Sequence, residues 1–275
     1  MISVVILTFN EAINIQRCLD SVKWSDDILV MDSGSIDDTV EIARRNGARV
    51  LTRKFDTFAK QRNHAMLSGE FRNQWVLHLD ADEVVTDALR EELLAIVRNG
   101  PGKFPVYRIP SRMIFMGSWL KHAGMYPSYQ VRFGRNDELR FTDHGHGQRE
   151  VQSAEQVGTL SAPMDHYNFS KGINEWFARH LRYAATEAEL AFSEKAVATE
   201  YRQLASTNST LRRRALKRIA YKMPLRPALR FFYVYILRAG FLDGRAGFHY
   251  AVMMAIYQYF ININESELRA KRDGK

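Results

Sequence analysis

The sequence predicts an α/β fold: an open, Rossmann-like, mostly parallel sheet with helices on both faces, followed by a C-terminal helical subdomain. Three observations predict it. Apolar runs of strand length alternate with helical patterns through residues 1–100, the pattern of a sheet covered by its own crossover helices. The connections between these runs are short, as right-handed crossovers allow. From about Asn174 the hydrophobic period becomes helical and stays so. The expected division is 1–170 for the sheet domain and 171–275 for the helical region.

Residues 3–8, Ser-Val-Val-Ile-Leu-Thr, read as a strand buried on both faces, because the apolar run is continuous rather than alternating. Phe9-Asn10-Glu11 turns the chain into a helix over about 12–22, where Ile15, Cys18, Leu19 and Val22 share one stripe and mark Cys18 as core. A second strand at 27–31 ends at Asp32, and a helix at 37–46 stops at Gly47, the residue best suited to a left-handed turn after a helix. A third strand at 48–52 and a helix at 58–67 lead to the strand Trp75-Val-Leu-His-Leu, which places His78 in the sheet. Strand-like pieces at 104–110, 129–133 and 139–142 extend the sheet between Gly and Pro turns. In the tail, Trp176, Phe177, His180, Leu181 and Ala184 trace one helical face, and further helices are expected at 187–205, 209–222, 226–239 and 246–261.

Composition narrows the function classes. An apolar fraction of 46% with 25% charged residues is that of an ordinary globular chain and excludes disorder as the default. The single cysteine excludes an intramolecular disulfide framework and fits a reducing compartment. No charged leader precedes an apolar run and no long uncharged apolar window occurs, so neither export nor a spanning helix is expected. A cytoplasmic protein, peripheral at the inner face of the membrane, is the expectation. Residues 1–170 carry a net charge of −2 and residues 171–275 one of +10, which points the tail at an acidic partner. Arg212-Arg-Arg, Lys217, Arg218 and Lys222 adjoin an apolar, aromatic stretch at 224–238 that contains Arg226, Arg230 and Arg238. That pairing suits a helix lying in the plane of an anionic membrane surface rather than nucleic acid. The same residues also suit a helical subdomain with Tyr and Phe in its core.

Three stretches carry candidate chemistry. The strand at 75–79 runs into Asp80-Ala-Asp82-Glu83, and ionised carboxylates at a buried strand end require a counter-charge. A divalent cation, Mg²⁺ or Mn²⁺, is the natural one, since such ions take a few carboxylates and complete their shell with phosphates and water. Asp-x-Asp also ends ordinary strands, and Thr86 and Asp87 can cap a helix. In Asp32-Ser-Gly-Ser-Ile-Asp-Asp-Thr, Gly34 permits a tight turn and Asp37 and Thr39 can satisfy donors at the next helix start. Asp32 then stays available to a nucleobase or ribose. In Thr142-Asp-His-Gly-His-Gly-Gln-Arg-Glu, Asp143, His144, His146 and Glu150 all qualify as a base for an acceptor hydroxyl, and a solvated, glycine-hinged loop accounts for the same residues. Trp119, Tyr126 and Trp176 suit either stacking on a sugar ring or the core.

Taken together, Val4-Val-Ile-Leu-Thr-Phe-Asn-Glu, Ile28-Leu-Val-Met-Asp-Ser-Gly-Ser-Ile-Asp-Asp-Thr, Lys60-Gln-Arg-Asn and Leu79-Asp-Ala-Asp-Glu resemble the family 2 glycosyltransferases of GT-A fold. Within it the chain looks most like the non-processive branch of lipopolysaccharide-core and exopolysaccharide sugar transferases. The resemblance implies that Thr8 and Glu11 line a nucleotide site, Asp32 contacts the base, Arg62 lies near base or phosphates, Asp80 meets ribose or metal, and Asp82 is the chief metal ligand. The implied base is a carboxylate placed like Asp143, with Glu150 and His146 as alternatives. The implied activity is metal-dependent, inverting transfer of a sugar from a nucleotide diphosphate sugar, a UDP-sugar, to a hydroxyl of a lipid-linked or membrane-associated glycan. Three departures stand out: Asp32-Ser33-Gly34-Ser35 where many relatives have Asp-Asp-Gly-Ser, no adjacent His-Glu in 142–150, and no Gln-x-x-Arg-Trp of processive synthases. A sugar nucleotidyltransferase would need a glycine-rich basic loop that is lacking here. A non-catalytic membrane- or nucleic-acid-binding module would rest on the tail alone.

Overall fold

The computed structural model describes residues 1–100, 103–144, 147–195, 204–207, 211–212, 215, 225–272 and 274. His146, Arg213, Arg214, Lys217, Arg218 and Lys222 lie outside the described residues, as do most of the helix expected at 209–222 and residues 196–203 of that expected at 187–205. The chain forms two compact units, Met1–Phe115 with Tyr126–Ser170, and Met116–Met125 with Lys171–Lys275.

The first unit is the expected α/β sheet. Strands β1 (Ile2–Thr8), β2 (Ile28–Asp32), β3 (Arg49–Thr52) and β4 (Trp75–Asp80) are parallel in the order β3-β2-β1-β4. Helices α1 (Ala12–Ser21), α2 (Thr39–Arg45) and α3 (Phe58–Ser68) make the crossovers. The continuous apolar run of β1 is buried throughout, and its pleat divides it between two cores. Ile2, Val4 and Ile6 pack with Ile15, Cys18 and Leu19 of α1, whereas Val5 and Leu7 pack with Ala59, Ala65 and Met66 of α3. Fully burying each such Val, Leu or Ile stabilises by about 1.5–3 kcal/mol. Gly47 has φ +79°, as its place after α2 requires.

Beyond β4 come β5 (Glu83–Val85), α4 (Asp87–Arg98), β6 (Val106–Phe115), and, in the second unit, β7 (Ser118–Trp119). Thr86 caps α4 by accepting from the Leu89 amide at 3.2 Å. The sheet continues through β8 (Ser128–Arg135), antiparallel to both β4 and β6. A separate two-stranded hairpin is formed by β9 (Phe141–His144) and β10 (Gly147–Glu150). Strands β11 (Val157–Thr159) and β12 (Met164–His166) run parallel to β6, and β12 pairs antiparallel with β5.

In the second unit, α5 (Ile173–Lys195) is one continuous helix, and α6 (Arg226–Phe232) runs into a π-turn at Tyr233–Leu237. A short 3₁₀ turn, Gly240–Asp243, leads to α7 (Gly244–Arg272). The expected end of the last helix at 261 is therefore corrected: Asn262, Asn264 and Glu265 continue it, with Glu265 buried against Arg226. Ala184 and Ala188 of α5 pack on Ile261 of α7. Trp176 is buried and stacks on His180 at 3.5 Å between centroids, which assigns it to this core, while Leu181, expected on the same face, is exposed.

Candidate active site

The parallel register brings the strand ends into line. Thr8 faces Asp32 across β1 and β2, and Leu7 faces Asp80 across β1 and β4. Ligands of such sheets bind outside these carboxyl ends.

At the first of these ends, Asp32 is buried and organises the turn after β2. Its Oδ1 accepts from Thr8 Oγ1 at 3.0 Å and from Ser35 Oγ at 2.5 Å, and its Oδ2 accepts from the amides of Gly34 and Ser35, each at 2.9 Å. These four bonds use the four acceptor positions of a carboxylate. Gly34 supplies the positive φ of +92° that the turn requires. The neighbouring loop is laced to it: Asn10 donates its amide to Ser35 Oγ at 2.8 Å and accepts the Ile36 amide at 2.9 Å. Asp37 and Thr39, expected to serve the helix they precede, also accept the Ala12 and Glu11 amides at 3.1 and 2.8 Å, and so close the start of α1. Glu11 is half-buried beside them and accepts from Asn14 at 2.7 Å.

The second strand end holds the carboxylates. Asp80 receives Arg62 on Oδ1 at 2.6 Å and Arg132 on Oδ2 at 2.5 Å, and Arg132 also bonds Glu83 at 2.8 Å. Glu83 Oε2 accepts the Asp80 amide at 2.8 Å, so one buried carboxylate fixes the backbone of the other. Burial and the Asp80 charge push the Glu83 carboxyl up to about 8. Asp82 faces His166 of β12, Oδ2 to Nε2 3.3 Å. Burial works against a charge on His166, but Asp82, then Glu83 and Asp80, raise its pKa to about 9. The counter-charge that these carboxylates require is thus supplied by Arg62, Arg132 and His166. Arg62 lies on Asp80 itself, a placement that its expected neighbourhood of base or phosphates did not specify. His78 is buried in the sheet, as expected, with its pKa held well below the usual imidazole range by burial.

The hairpin is tied to the same helix as Arg62. Asn63 of α3 exchanges two hydrogen bonds with the Phe141 backbone, at 2.8 and 2.9 Å, and the Phe141 ring meets His78 edge-on at 5.4 Å. Asp143 lies two residues beyond Phe141, and Glu150 lies directly opposite Phe141 in register. Both carboxylates therefore share the face of the hairpin that Phe141 presents to α3. Asp143 is exposed and Glu150 half-buried.

The contributions of Arg132 and His166 were the least legible in the sequence. The signal for the first is an arginine flanked by Val131 and Phe133 in an apolar strand, and for the second the polar run Asp165-His166-Tyr167. Among the described residues, no three or more His, Cys, Asp or Glu side chains are arranged to hold a metal ion by themselves. Asp82 and His166 nonetheless offer a carboxylate oxygen and an imidazole nitrogen within one site. His166 has to give up its proton before it can bind a metal, so the donor that fits Mg²⁺ or Mn²⁺ directly is the Asp82 carboxylate, with the remaining ligands supplied by substrate phosphates and water.

A family model for glycosyl transferase family 2 matches residues 3–152. An uncharacterized glycosyltransferase of Rickettsia prowazekii (strain Madrid E) is 34% identical over 118 residues, covering 42% of this chain and 40% of that protein. A second, from Rickettsia bellii (strain RML369-C), is 27% identical over 198 residues, covering 68% of this chain and 66% of that one. The matched stretches span less than two thirds of either relative's length. Among solved structures, S. aureus TarS 1-349 aligns over 100% of this chain and 92% of that chain, at TM-score 0.42 and 15% identity. A Mycobacterium tuberculosis glucosyl-3-phosphoglycerate synthase, in complex with Mn²⁺, uridine-diphosphate and glucosyl-3-phosphoglycerate, aligns over 69% and 79%, at TM-score 0.45 and 17% identity. The family model spans more than half of the chain, and the chain belongs to glycosyl transferase family 2.

Proposed function

We propose that this chain is a metal-dependent, inverting glycosyltransferase that moves a sugar from a nucleotide diphosphate sugar, a UDP-sugar, to a hydroxyl of a lipid-linked or membrane-associated glycan in cell-envelope polysaccharide synthesis. The observation that carries this reading is the Asp80-Ala81-Asp82 end of β4, with Asp80 pinned between two arginines and Asp82 facing His166.

In this reading the loops after β1 and β2, shaped by Thr8, Asn10, Glu11 and Asp32, receive the nucleoside. The Arg62 and Arg132 clamp holds the Asp80 carboxylate in place and aims it at the ribose or metal. Asp82 would hold the divalent cation, joined by the His166 imidazole once metal binding displaces its proton, and the cation when bound stabilises the charge that develops on the departing diphosphate. Asp143, on the hairpin face that also carries Glu150, takes the proton of the acceptor hydroxyl. The acceptor oxygen forms its bond to the anomeric carbon as the carbon–oxygen bond to the diphosphate breaks, and the nucleoside diphosphate leaves with that electron pair. Attack from the face opposite the leaving group inverts the anomeric centre. The basic region 171–275 fits an acceptor held at an anionic membrane surface.

Calorimetric titration of the protein with UDP and with GDP, each with and without Mn²⁺, tests the donor and the metal together. UDP should bind in a metal-dependent manner, and Asp82→Ala should remove the metal dependence without unfolding the protein. Metal-dependent UDP binding that survives Asp82→Ala would overturn the role of Asp82, and binding of neither nucleotide would overturn the donor.

A further inference from the structure

The second unit exposes an apolar helix face that no described residue covers. Along α6 and the π-turn after it, Leu225 (76% exposed), Leu229, Phe232, Tyr233, Ile236 and Leu237 (66%) are all open to solvent. Their spacing traces a single helical stripe. Phe241, Leu242 (63%) and Phe248 continue the exposure through the turn into α7. The helix is oriented against its own composition. Its inward side carries Arg226, buried in a 2.6 Å ion pair with Glu265, and Val234. Its best apolar residues face out. Single exposed apolar residues are ordinary, but a contiguous stripe of this kind marks an interaction surface.

Charge identifies the occupant. Residues 225–249 contain four arginines and one acidic residue, Asp243. The Asp243 side chain is only 3% exposed and is consumed by His122 Nδ1 at 2.7 Å and by the His122 and Ala123 amides. Within residues 225–249 the outward surface therefore combines Leu, Phe, Tyr and Ile with Arg230, Arg238 and Arg245, and among these described residues it presents no free carboxylate. A second copy of the same face would oppose arginine to arginine. An anionic bilayer instead supplies negative headgroups for the guanidinium groups and acyl chains for the stripe. No helix among the described residues is long and apolar enough to cross a membrane, which agrees with a helix lying in the interface.

We propose that the stripe from Leu225 to Leu242, rimmed by Arg230, Arg238 and Arg245, docks the protein in the plane of an anionic phospholipid surface. This deepens the membrane-associated acceptor of the proposed function and rests on that reading for its purpose, though not for its test. The test is sedimentation of the full chain with vesicles of equimolar phosphatidylcholine and phosphatidylglycerol, against vesicles of phosphatidylcholine alone. UDP binding is measured on the same samples. Wild type should sediment with the anionic vesicles and less so as salt is raised. The double variant Leu237→Asp, Leu242→Asp should lose at least about tenfold in vesicle affinity, while its circular dichroism and UDP binding stay as in wild type. Absence of wild-type sedimentation, or equal sedimentation of the variant, overturns the surface. So does a dimer in sedimentation velocity without lipid that the same variant dissolves, since the stripe would then belong to a second copy. Failure of UDP binding with vesicle binding intact would strike the donor reading and leave the surface standing.

Discussion

At the scale of single residues, the feature with the largest energetic consequence is the Arg132 bridge. Its side chain is 2% exposed and joins Asp80 to Glu83, which is 0% exposed. Removing one member of a buried ion pair strands the charge left behind, at a cost of about 3–5 kcal/mol. Arg132→Ala should lower the unfolding free energy in urea titration, by up to that amount above about pH 8, where Glu83 is ionised and left without its partner, and adding Glu83→Gln should remove that pH dependence. A loss no greater than that of a surface substitution would show that Arg132 does not sustain the cluster. The need for this cation was legible in the sequence and its source was not. Asp80, Asp82 and Glu83 at the end of an apolar strand demand positive charge from their composition alone. Arg62, Arg132 and His166 meet that demand from α3, β8 and β12, elements that only the folded topology brings to β4. From local sequence alone a divalent cation answers that demand, since no Lys or Arg lies between Arg72 and Arg90.

At the scale of elements, β1 to β4 and their crossover helices were legible nearly to the residue, because continuous apolar runs, helical stripes and Gly47 are local signals. The turn residues were read less well: Asp37 and Thr39 are ordinary capping types, yet the donors they satisfy on α1 belong to a different crossover. The opposite end of the sheet shows the same tertiary use of a carboxylate. Asp27, just before β2, accepts from Ser3 of β1 at 2.6 Å, from Arg49 of β3 at 2.7 Å and from the Arg72 amide at 2.9 Å. Burial opposes its charge, but the bonds from Ser3, Arg72 and Arg49 prevail and lower its pKa. A carboxyl with a depressed folded pKa stabilises fully above its unfolded value of about 3.9, and that stabilisation is lost as pH falls through the folded value. Asp27→Asn should therefore be less stable than wild type at neutral pH by about 1.5–3 kcal/mol. The gap should narrow in acid, when wild-type Asp27 is itself protonated. Urea midpoints measured from neutral pH downwards check this, and a gap that stays constant through the acid range would refute the linkage.

At the scale of the whole molecule, the change of hydrophobic period near Asn174 announced a helical region, and the excess of basic residues there announced its charge. The grouping of Met116–Met125 with the C-terminal helices was not legible, because it rests on contacts such as the His122 and Ala123 amides on Asp243, across a long sequence separation. The two units have separate cores, aliphatic on both sides of the sheet in the first and helix on helix in the second. Every residue placed in the candidate site lies in the first. A ligand that binds only the native state stabilises the unit it binds, by about 2.7 kcal/mol at a hundredfold excess over its Kd. For a unit of this size that corresponds to roughly 5–10 °C in Tm. Scanning calorimetry of the full chain should therefore show more than one transition, and UDP with Mn²⁺ should raise one of them by that amount and leave the other in place. Asp82→Ala should abolish the shift. A single transition, or equal displacement of both, would mean that the two cores unfold as one cooperative body and that nucleotide occupancy is felt throughout the chain.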